Sequence, residues 1–217
     1  MKHLNNIKVI LFDAANTLIY KPDLYDKIIN VLKTYGFDIN KKELITRHKI
    51  LSEIINFPDR TSKEFYDFFN SELLIILGII PCEAILDSLF AECSYLPWKV
   101  FEDVIYLKDI KVKKAVLSNF NSSLEKLLQD LIGENLFSEM IVSEKEKVRK
   151  PDLDFYQLAL NKLGVLPSEI LYIGDSLKLD IIPAQKLGFN TLIIDRDNLY
   201  INSINRISNF KEILDII

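Results

Sequence analysis

Five polar side chains of this sequence have the types needed to bind a metal ion and a phosphate group together. Three are carboxylates, one is a lysine and one is a hydroxyl: Asp13, Asp175, Asp180, Lys150 and Ser118. Clustered carboxylates repel one another unless a cation lies among them, and hard oxygen ligands select Mg²⁺. A lysine and a hydroxyl beside such a metal form a natural phosphate cradle. These residues predict a magnesium site for a phosphorylated ligand, provided that the fold brings them together.

The elements that must position these residues are short strands buried on both faces. Apolar, β-branched runs predict strands over residues 7–12, 114–118, 140–143, 170–173 and 191–194. Helix-length segments lie between the later runs. One covers residues 124–132 with Ser122 or Ser123 as a cap, a second has Pro151 and Asp152 in its first turn and runs to about Gly164, and a third runs from Pro183 to Gly188. Strands alternating with such helices predict an α/β fold with a parallel sheet.

The polar residues stand at the predicted strand ends. Asp13 follows the first strand, Ser118 and Asn119 close the second, Lys150 lies in the loop after the third, and Asp175 follows the fourth. Ligands of open parallel sheets bind outside the carboxyl ends of the strands, so we expect these side chains to meet at one edge. Taken singly, each residue is also typical of a turn or a helix cap. Their common position in the pattern favours a functional site.

Residues 20–100 have a different pattern, with apolar residues spaced by three and four along the whole stretch. This spacing predicts helices throughout. We therefore expect an α-helical cap domain over residues 20–100, inserted into a core domain made of residues 1–19 and 101–217. Closure of such a cap would exclude water and set substrate choice. Arg47, His48 and Arg60 are candidate substrate contacts, although a solvated helix face is the commoner role of such residues.

Composition excludes several classes of function. The 217 residues include 27 basic and 31 acidic side chains, a formal charge of −4 that disfavours nucleic acid and membrane surfaces as partners. Two cysteines without a CxxC motif argue against a disulfide framework and a structural zinc site, and favour a cytoplasmic location. The longest apolar run is about half of the roughly 20 residues that a membrane span needs. The oligomeric state stays open.

Four short motifs carry a resemblance to a known family. They are Asp13-x-x-x-Thr17-Leu18, Ser118-Asn119, Lys150-Pro151 and Gly174-Asp175-Ser176-x-x-x-Asp180. In these motifs the sequence resembles the haloacid dehalogenase (HAD) superfamily of hydrolases, over essentially the whole chain. The helical block is similar to the C1 type of cap that marks subfamily I of that superfamily. The resemblance implies a Rossmann-like parallel-sheet core with an inserted helical cap.

The resemblance also implies a role for each matching residue. It makes Asp13 the nucleophile, with Ser118 and Lys150 as further catalytic residues and Asn119 and Thr17 as substrate-binding residues. Mg²⁺ would be held by Asp13, Asp175 and the main-chain carbonyl of Ala15, and Asp180 would support the metal site. The implied activity is a magnesium-dependent phosphatase that forms an aspartyl-phosphate from a small phosphorylated metabolite.

Ala15 is the main departure from the family pattern. Phosphatases of the family usually carry a second aspartate there, which protonates the leaving group, and an alanine cannot transfer a proton. General acid–base help is worth typically ~10²–10⁴ in rate, so we expect weak or specialised activity. Three alternatives follow: a phosphonoacetaldehyde-type hydrolase that uses a cap lysine such as Lys42, Lys49 or Lys63, a 2-haloacid dehalogenase, and a non-catalytic HAD fold that binds a phosphorylated ligand or a protein.

Overall fold

The structure is a computed structural model, and it describes residue 4, residues 6–203 and residues 205–217. The strands are β1 (Val9–Phe12), β2 (Ile19–Tyr20), β3 (Lys99–Val100), β4 (Lys113–Ser118), β5 (Glu139–Val142), β6 (Ile170–Gly174), β7 (Asn190–Ile194) and β8 (Arg206–Ile207). The α-helices are α1 (Leu24–Thr34), α2 (Lys41–Ile54), α3 (Lys63–Ile76), α4 (Glu83–Cys93), α5 (Leu124–Ile132), α6 (Ser143–Glu146), α7 (Leu153–Leu163) and α8 (Ile182–Lys186).

Six of these strands form one parallel sheet in the order β5-β4-β1-β6-β7-β8. β1 lies in the middle, with Phe12 level with Val116 of β4 and with Ile173 of β6. All four residues of β1 and all five of β6 are buried, as expected for central strands of a sheet covered on both faces. The predicted α/β fold with a parallel sheet is confirmed.

The five predicted strands all form, each within two residues of its predicted bounds. Strands β2, β3 and β8 have only two residues each and were not predicted, because so short a run carries no periodicity. Helices α5 and α7 end before Gly133 and Gly164, as predicted. The predicted serine cap of α5 is wrong: Ser123 stands at the N-cap but its side chain caps no helix amide, and it donates instead to Asn121.

One face of the sheet packs against α7. Phe155, Tyr156 and Ala159 of this helix are fully buried and join a core cluster with residues of the central strands. Asp152 caps the start of the helix, where its side chain accepts a hydrogen bond from the amide of Asp154, and Gly164 caps the end with φ 64°. These end signals fix where α7 starts, and therefore where the preceding loop with Lys150 must end.

Helices α1 to α4 form an inserted helical segment between β2 and β3, as the resemblance implied. Their buried apolar residues lie on one face of each helix and form a separate core, which includes Leu32, Leu44, Leu73 and Leu89. Two of the helices have side-chain caps: Asn40 accepts from two amides at the start of α2, and Ser62 accepts from the amide of Phe65 in α3. Both cysteines of the chain lie here with free thiols.

Backbone contacts divide the chain into two compact units, residues 1–20 with 100–217 and residues 21–99. We call the first the sheet unit and the second the helical unit. The predicted boundaries and the capping role of the helical block stay predictions. Residues 1–3, residue 5 and residue 204, which belong to the predicted core domain, lie outside the described residues. Among the helices of the described ranges, none is long and apolar enough to cross a membrane.

Candidate active site

Asp13 lies at the carboxyl end of the central strand, where the chain turns sharply. Its amide donates to the carbonyl of Ile173 in β6 at 2.9 Å, which fixes the backbone against the neighbouring strand. The carbonyl of Ala14 then accepts from the amides of Leu18 and Ile19 at 2.8 and 3.0 Å. Asn16 adopts φ 58° within this turn, a left-handed conformation that asparagine tolerates better than most residues.

Lys150 lies between two carboxylates. Its Nζ donates to Oδ1 of Asp13 at 2.6 Å and to Oδ1 of Asp180 at 2.7 Å. The lysine is 3% exposed, and the two aspartates are 6% and 1% exposed. Buried charges are stable only when they are paired and hydrogen-bonded, so these two hydrogen bonds fix all three side chains.

Ser118 is the last residue of β4 and Asn119 follows it, and the two side chains form hydrogen bonds with different neighbours. The hydroxyl of Ser118 donates to Oδ1 of Asp13 at 3.1 Å. The side chain of Asn119 holds the Lys150 backbone from both sides: its Nδ2 donates to the Lys150 carbonyl at 2.9 Å, and its Oδ1 accepts from the Lys150 amide at 2.8 Å. Asn119 therefore positions the lysine loop, whatever contact it also makes with a substrate.

Three carboxylates share this edge of the sheet. Ligand oxygens of Asp13, Asp175 and Asp180 all lie within 4.8 Å of one another. Asp180 comes from a π-helical turn, Leu177–Ile181, and its Oδ2 accepts from the Ser176 amide at 2.9 Å. A Cβ atom added at Gly174 would lie 2.4 Å from the Asp180 carboxylate, so only glycine permits this approach.

Burial and neighbouring charges shift the pKa values of Asp13 and Lys150. Burial raises the pKa of Asp13 from 3.8 to about 6; attraction to Lys150 opposes this shift, and repulsion from Asp180 and Asp175 adds to it. Burial alone would lower the pKa of Lys150, but the carboxylates of Asp13 and Asp180 outweigh burial and raise it above its usual value. Lys150 therefore keeps its positive charge at neutral pH.

The donor set fits a magnesium ion. Three carboxylates face one lysine, so a divalent cation would offset the remaining negative charge. Both hydrogen bonds that the described residues make to the Asp13 carboxylate use Oδ1, which leaves Oδ2 for a further ligand. These oxygen donors are the type that Mg²⁺ prefers, and the acidic cluster can bind a metal.

Thr17 and Ala15, the other two predicted site residues, lie in the turn after Asp13. Thr17 is fully buried, and its hydroxyl has no hydrogen-bond partner among the described residues. Its side chain therefore faces the interior, and its predicted substrate contact stays a prediction. Ala15 is partly exposed and forms a bridge with Ile19, and its predicted role as a metal ligand likewise stays a prediction.

The sequence reasoning did not identify Tyr172, which joins the same network. Its hydroxyl lies 3.0 Å from Oδ1 of Asp180, 3.3 Å from Nζ of Lys150 and 3.3 Å from the Leu117 carbonyl. The residue is fully buried in β6. A tyrosine in a strand of otherwise aliphatic residues was the available signal, because a buried phenol needs a hydrogen-bond partner.

Comparison with known proteins assigns this chain to a family. The family of haloacid dehalogenase-like hydrolases matches residues 7–188, which include every residue of the site. The chain belongs to this family of hydrolases. The folds agree as well: the structure superposes on YfnB of Bacillus subtilis, described as a HAD-type hydrolase bound to magnesium, with a TM-score of 0.68, 18% identity and coverage of 98% and 99% of the two chains.

Similar proteins within the family carry two different chemistries. The chain is 27% identical to the glyceraldehyde 3-phosphate phosphatase of Methanocaldococcus jannaschii, over 97% of each protein. It is 32% identical to the (S)-2-haloacid dehalogenase 4A of Burkholderia cepacia, over 89% of this chain and 85% of that one. The choice between these chemistries therefore depends on the residues of the site.

Proposed function

We propose that this protein is a magnesium-dependent phosphatase that acts on a small phosphorylated metabolite through an aspartyl-phosphate on Asp13. The observation that carries the proposal is the buried cluster at the sheet edge. There, Asp13 lies 2.6 Å from Nζ of Lys150 and shares a site with Asp175 and Asp180. An aspartate nucleophile needs no metal to attack an alkyl halide, so two further carboxylates beside it favour an anionic substrate that is bound together with a cation.

Each contact of Asp13 supports attack on a phosphoryl group. Oδ1 accepts from Lys150 and Ser118 in this structure. One carboxylate oxygen of Asp13 would attack phosphorus as the bond to the leaving oxygen breaks, while the other would stay with the cation. The lysine charge offsets repulsion between the carboxylate and the phosphate and stabilises the charge of the transition state. Ser118 donates to a phosphoryl oxygen when it exchanges its bond to Asp13.

A bound magnesium ion would supply charge neutralisation and orientation of the phosphoryl oxygens. Asp13 and Asp175 would hold it with the main-chain carbonyl of Ala15, and Asp180 would support the site. Asp180 also fixes Lys150 at 2.7 Å, so it acts on the nucleophile through the lysine as well.

Ala15 limits the leaving groups that this site can release. The side chain at this position cannot protonate a departing alkoxide, so the reaction depends on leaving groups that depart without a proton. Aryl and acyl phosphates meet this condition, and alkyl esters such as a sugar phosphate do so poorly. A slow hydrolysis of the aspartyl-phosphate follows from the same lack of a general base.

The test compares three proteins on an activated aryl phosphate, with Mg²⁺ and with EDTA. We expect the wild-type protein to release phosphate only with Mg²⁺, Asp13→Asn to abolish release, and Ala15→Asp to raise turnover by about ten- to a thousandfold. The intermediate is trapped by acid quench as phosphoprotein, which Asp13→Asn cannot form. Release of phosphate by Asp13→Asn at the wild-type rate would contradict the proposal.

A dehalogenase is the second candidate, because the 32% identical relative is one and Ala15 is compatible with that chemistry. A dehalogenase would release halide from an (S)-2-haloacid in the presence of EDTA. Halide release that is insensitive to EDTA, combined with no phosphate release, would replace the phosphatase proposal with this one. The acidic cluster argues against that result, since three carboxylates beside a single lysine favour a bound divalent cation, which attack on a haloacid does not need.

A further inference from the structure

The turn that follows Asp13 receives two hydrogen bonds from other parts of the sheet unit. Nη2 of Arg196 donates to the carbonyl of Thr17 at 3.0 Å. The amide of Phe101 donates to the carbonyl of Leu18 at 3.0 Å. Because Thr17 and Leu18 are fully buried, water cannot easily replace these donors. The turn that carries the predicted nucleophile therefore depends on Arg196 and Phe101 for its outer hydrogen bonds.

Arg196 and Phe101 also contact each other. The guanidinium carbon of Arg196 lies 3.8 Å from the centroid of the Phe101 ring. Phe101 also contacts Tyr20: the two rings stack with centroids 4.2 Å apart and an interplanar angle of 13°. Tyr20 and Phe101 lie on the segments by which the chain leaves the sheet unit and returns to it. We call Tyr20, Phe101 and Arg196 the arginine stack.

Asp103 holds the guanidinium in place. Nη1 of Arg196 lies 2.8 Å from Oδ2 of Asp103, and this oxygen also accepts from the Phe210 amide at 2.8 Å. The ion pair is not bidentate: Nε of Arg196 and Oδ1 of Asp103 are buried with no hydrogen-bond partner in the described part of the chain. Here the guanidinium divides its donors between Asp103 and the turn.

We propose that Arg196 is a positioning residue that holds the turn of residues 14–19 and thereby sets the direction of Asp13 and of the Ala15 carbonyl. A planar cation with donors on two corners and an aromatic ring on its face is needed for this role. A lysine can donate to two acceptors from its single Nζ, but it lacks the planar fork that places two separate nitrogens toward Asp103 and Thr17 while the flat face of the cation stacks on Phe101. The kinetic part of this inference rests on the proposed function.

The test compares Arg196→Lys with the matched variant Arg206→Lys. Arg206 also pairs with a buried aspartate of the sheet unit, Asp195 at 3.0 Å, but its other partner is Asn198 and not the turn. Hydrogen exchange is measured on the amides of residues 14–20, and kcat and KM are measured on an aryl phosphate with Mg²⁺. Arg196→Gln is measured in parallel. If one of the two Arg196 variants does not fold, the other still provides the test.

We expect faster exchange of residues 14–20 in both Arg196 variants and wild-type exchange there in Arg206→Lys. The kcat of the Arg196 variants should fall by about tenfold to a hundredfold with KM nearly unchanged, because a misplaced nucleophile affects the reaction more than binding. Equal exchange in the Arg196 and Arg206 variants, or a wild-type kcat in Arg196→Lys, would overturn the inference. If the wild-type protein releases no phosphate, faster exchange confined to the Arg196 variants supports the holding role while the proposed function fails.

Discussion

Lys150 in the sheet unit and Lys63 in the helical unit each lie close to two aspartates, at nearly the same distances. Lys150 lies 2.6 and 2.7 Å from two aspartates, and Lys63 lies 2.7 and 2.8 Å from Asp67 and Asp87. The surroundings differ: the side chain of Lys150 is 3% exposed and that of Lys63 is 43% exposed. Contact distances alone do not separate a candidate catalytic lysine from a surface ion pair.

Burial makes the difference between the two lysines. Around Lys150, solvent cannot screen the charges, so each carboxylate depends on the lysine and the lysine on both carboxylates. Around Lys63, water and salt screen the same contacts, and such pairs contribute little to stability. The comparison predicts that substitutions at the buried cluster have large and coupled effects, whereas those at the surface cluster do not.

The largest effect is expected for Lys150→Met. Loss of the lysine leaves Asp13 and Asp180 buried without their cation, which costs about 3–5 kcal/mol when a buried pair is broken. The free energy of unfolding is measured by urea denaturation in EDTA, and phosphatase activity should disappear. Lys114→Met is the control, because Lys114 is also buried but donates to two carbonyls, of Ile110 and Val112, and leaves no charge unpaired. An equal loss in the two variants would contradict the comparison.

A second effect, of opposite sign, is expected for Asp13→Asn in the absence of metal. Because the pKa of Asp13 is raised to about 6, the folded protein binds its proton more tightly than the unfolded chain does. The stability from this proton is complete below about pH 4 and is lost as the pH rises to about 6. At pH 7.5 the neutral asparagine should therefore stabilise the metal-free protein by roughly 2–3 kcal/mol, and at pH 4 the difference should shrink to less than about 1 kcal/mol.

Thermal and urea unfolding at both pH values, in EDTA, measure this difference. Asp195→Asn is the matched control, because Asp195 is buried but both of its oxygens accept N–H donors, from Leu199, Tyr200 and Arg206. An asparagine there would turn its amide toward a donor, so that variant should lose about 1–3 kcal/mol. Destabilisation of Asp13→Asn at pH 7.5 by a similar amount would show that Asp13 has no raised pKa.

A smaller effect is expected for Tyr172→Phe, which removes one hydroxyl from the network of Lys150 and Asp180. The loss of a buried hydrogen bond should lower the free energy of unfolding by about 1–2 kcal/mol, and a less fixed Lys150 should lower kcat more than it changes KM. Tyr156→Phe serves as the control, because the Tyr156 hydroxyl donates to the carbonyl of Leu179 instead of the cluster. Equal kcat values in the two variants would limit Tyr172 to a structural role.

The sequence predicted the sheet unit better than the position of single side chains. Strands buried on both faces have near-continuous apolar runs, so their ends, and with them Asp13, Ser118 and Asp175, could be located from the pattern. The bonds of Asn119 to the Lys150 backbone and the donation of Arg196 to Thr17 join residues 31 and 179 positions apart, and no local pattern contains them.

The helical unit shows the same limit. Helical periodicity predicted helices throughout residues 20–100, because it depends on neighbouring residues of one segment, but it did not separate the four helices that the structure shows. The pattern left His48 as either a solvent-facing residue or a substrate contact. In the structure its ring lies between Tyr25 and Phe69, at 5.4 and 5.1 Å, and burial lowers its pKa to about 4. The side of a helix that a polar residue faces is decided by packing between helices, which one sequence does not encode locally.

The smallest effect is expected for Lys63→Met. The side chains of Lys63, Asp67 and Asp87 are 43%, 31% and 53% exposed, so removal of the lysine leaves no fully buried charge unpaired. The urea midpoint should change less than for Tyr172→Phe, and the difference from wild type should shrink further as salt is added. The phosphonoacetaldehyde alternative is tested on the wild-type protein, where a lysine that formed a Schiff base with an aldehyde substrate could be trapped with borohydride; no adduct on Lys63 is expected. The Lys63→Met variant should keep wild-type activity on the aryl phosphate, and a loss as large as that of Lys150→Met would show that burial does not distinguish the two lysines.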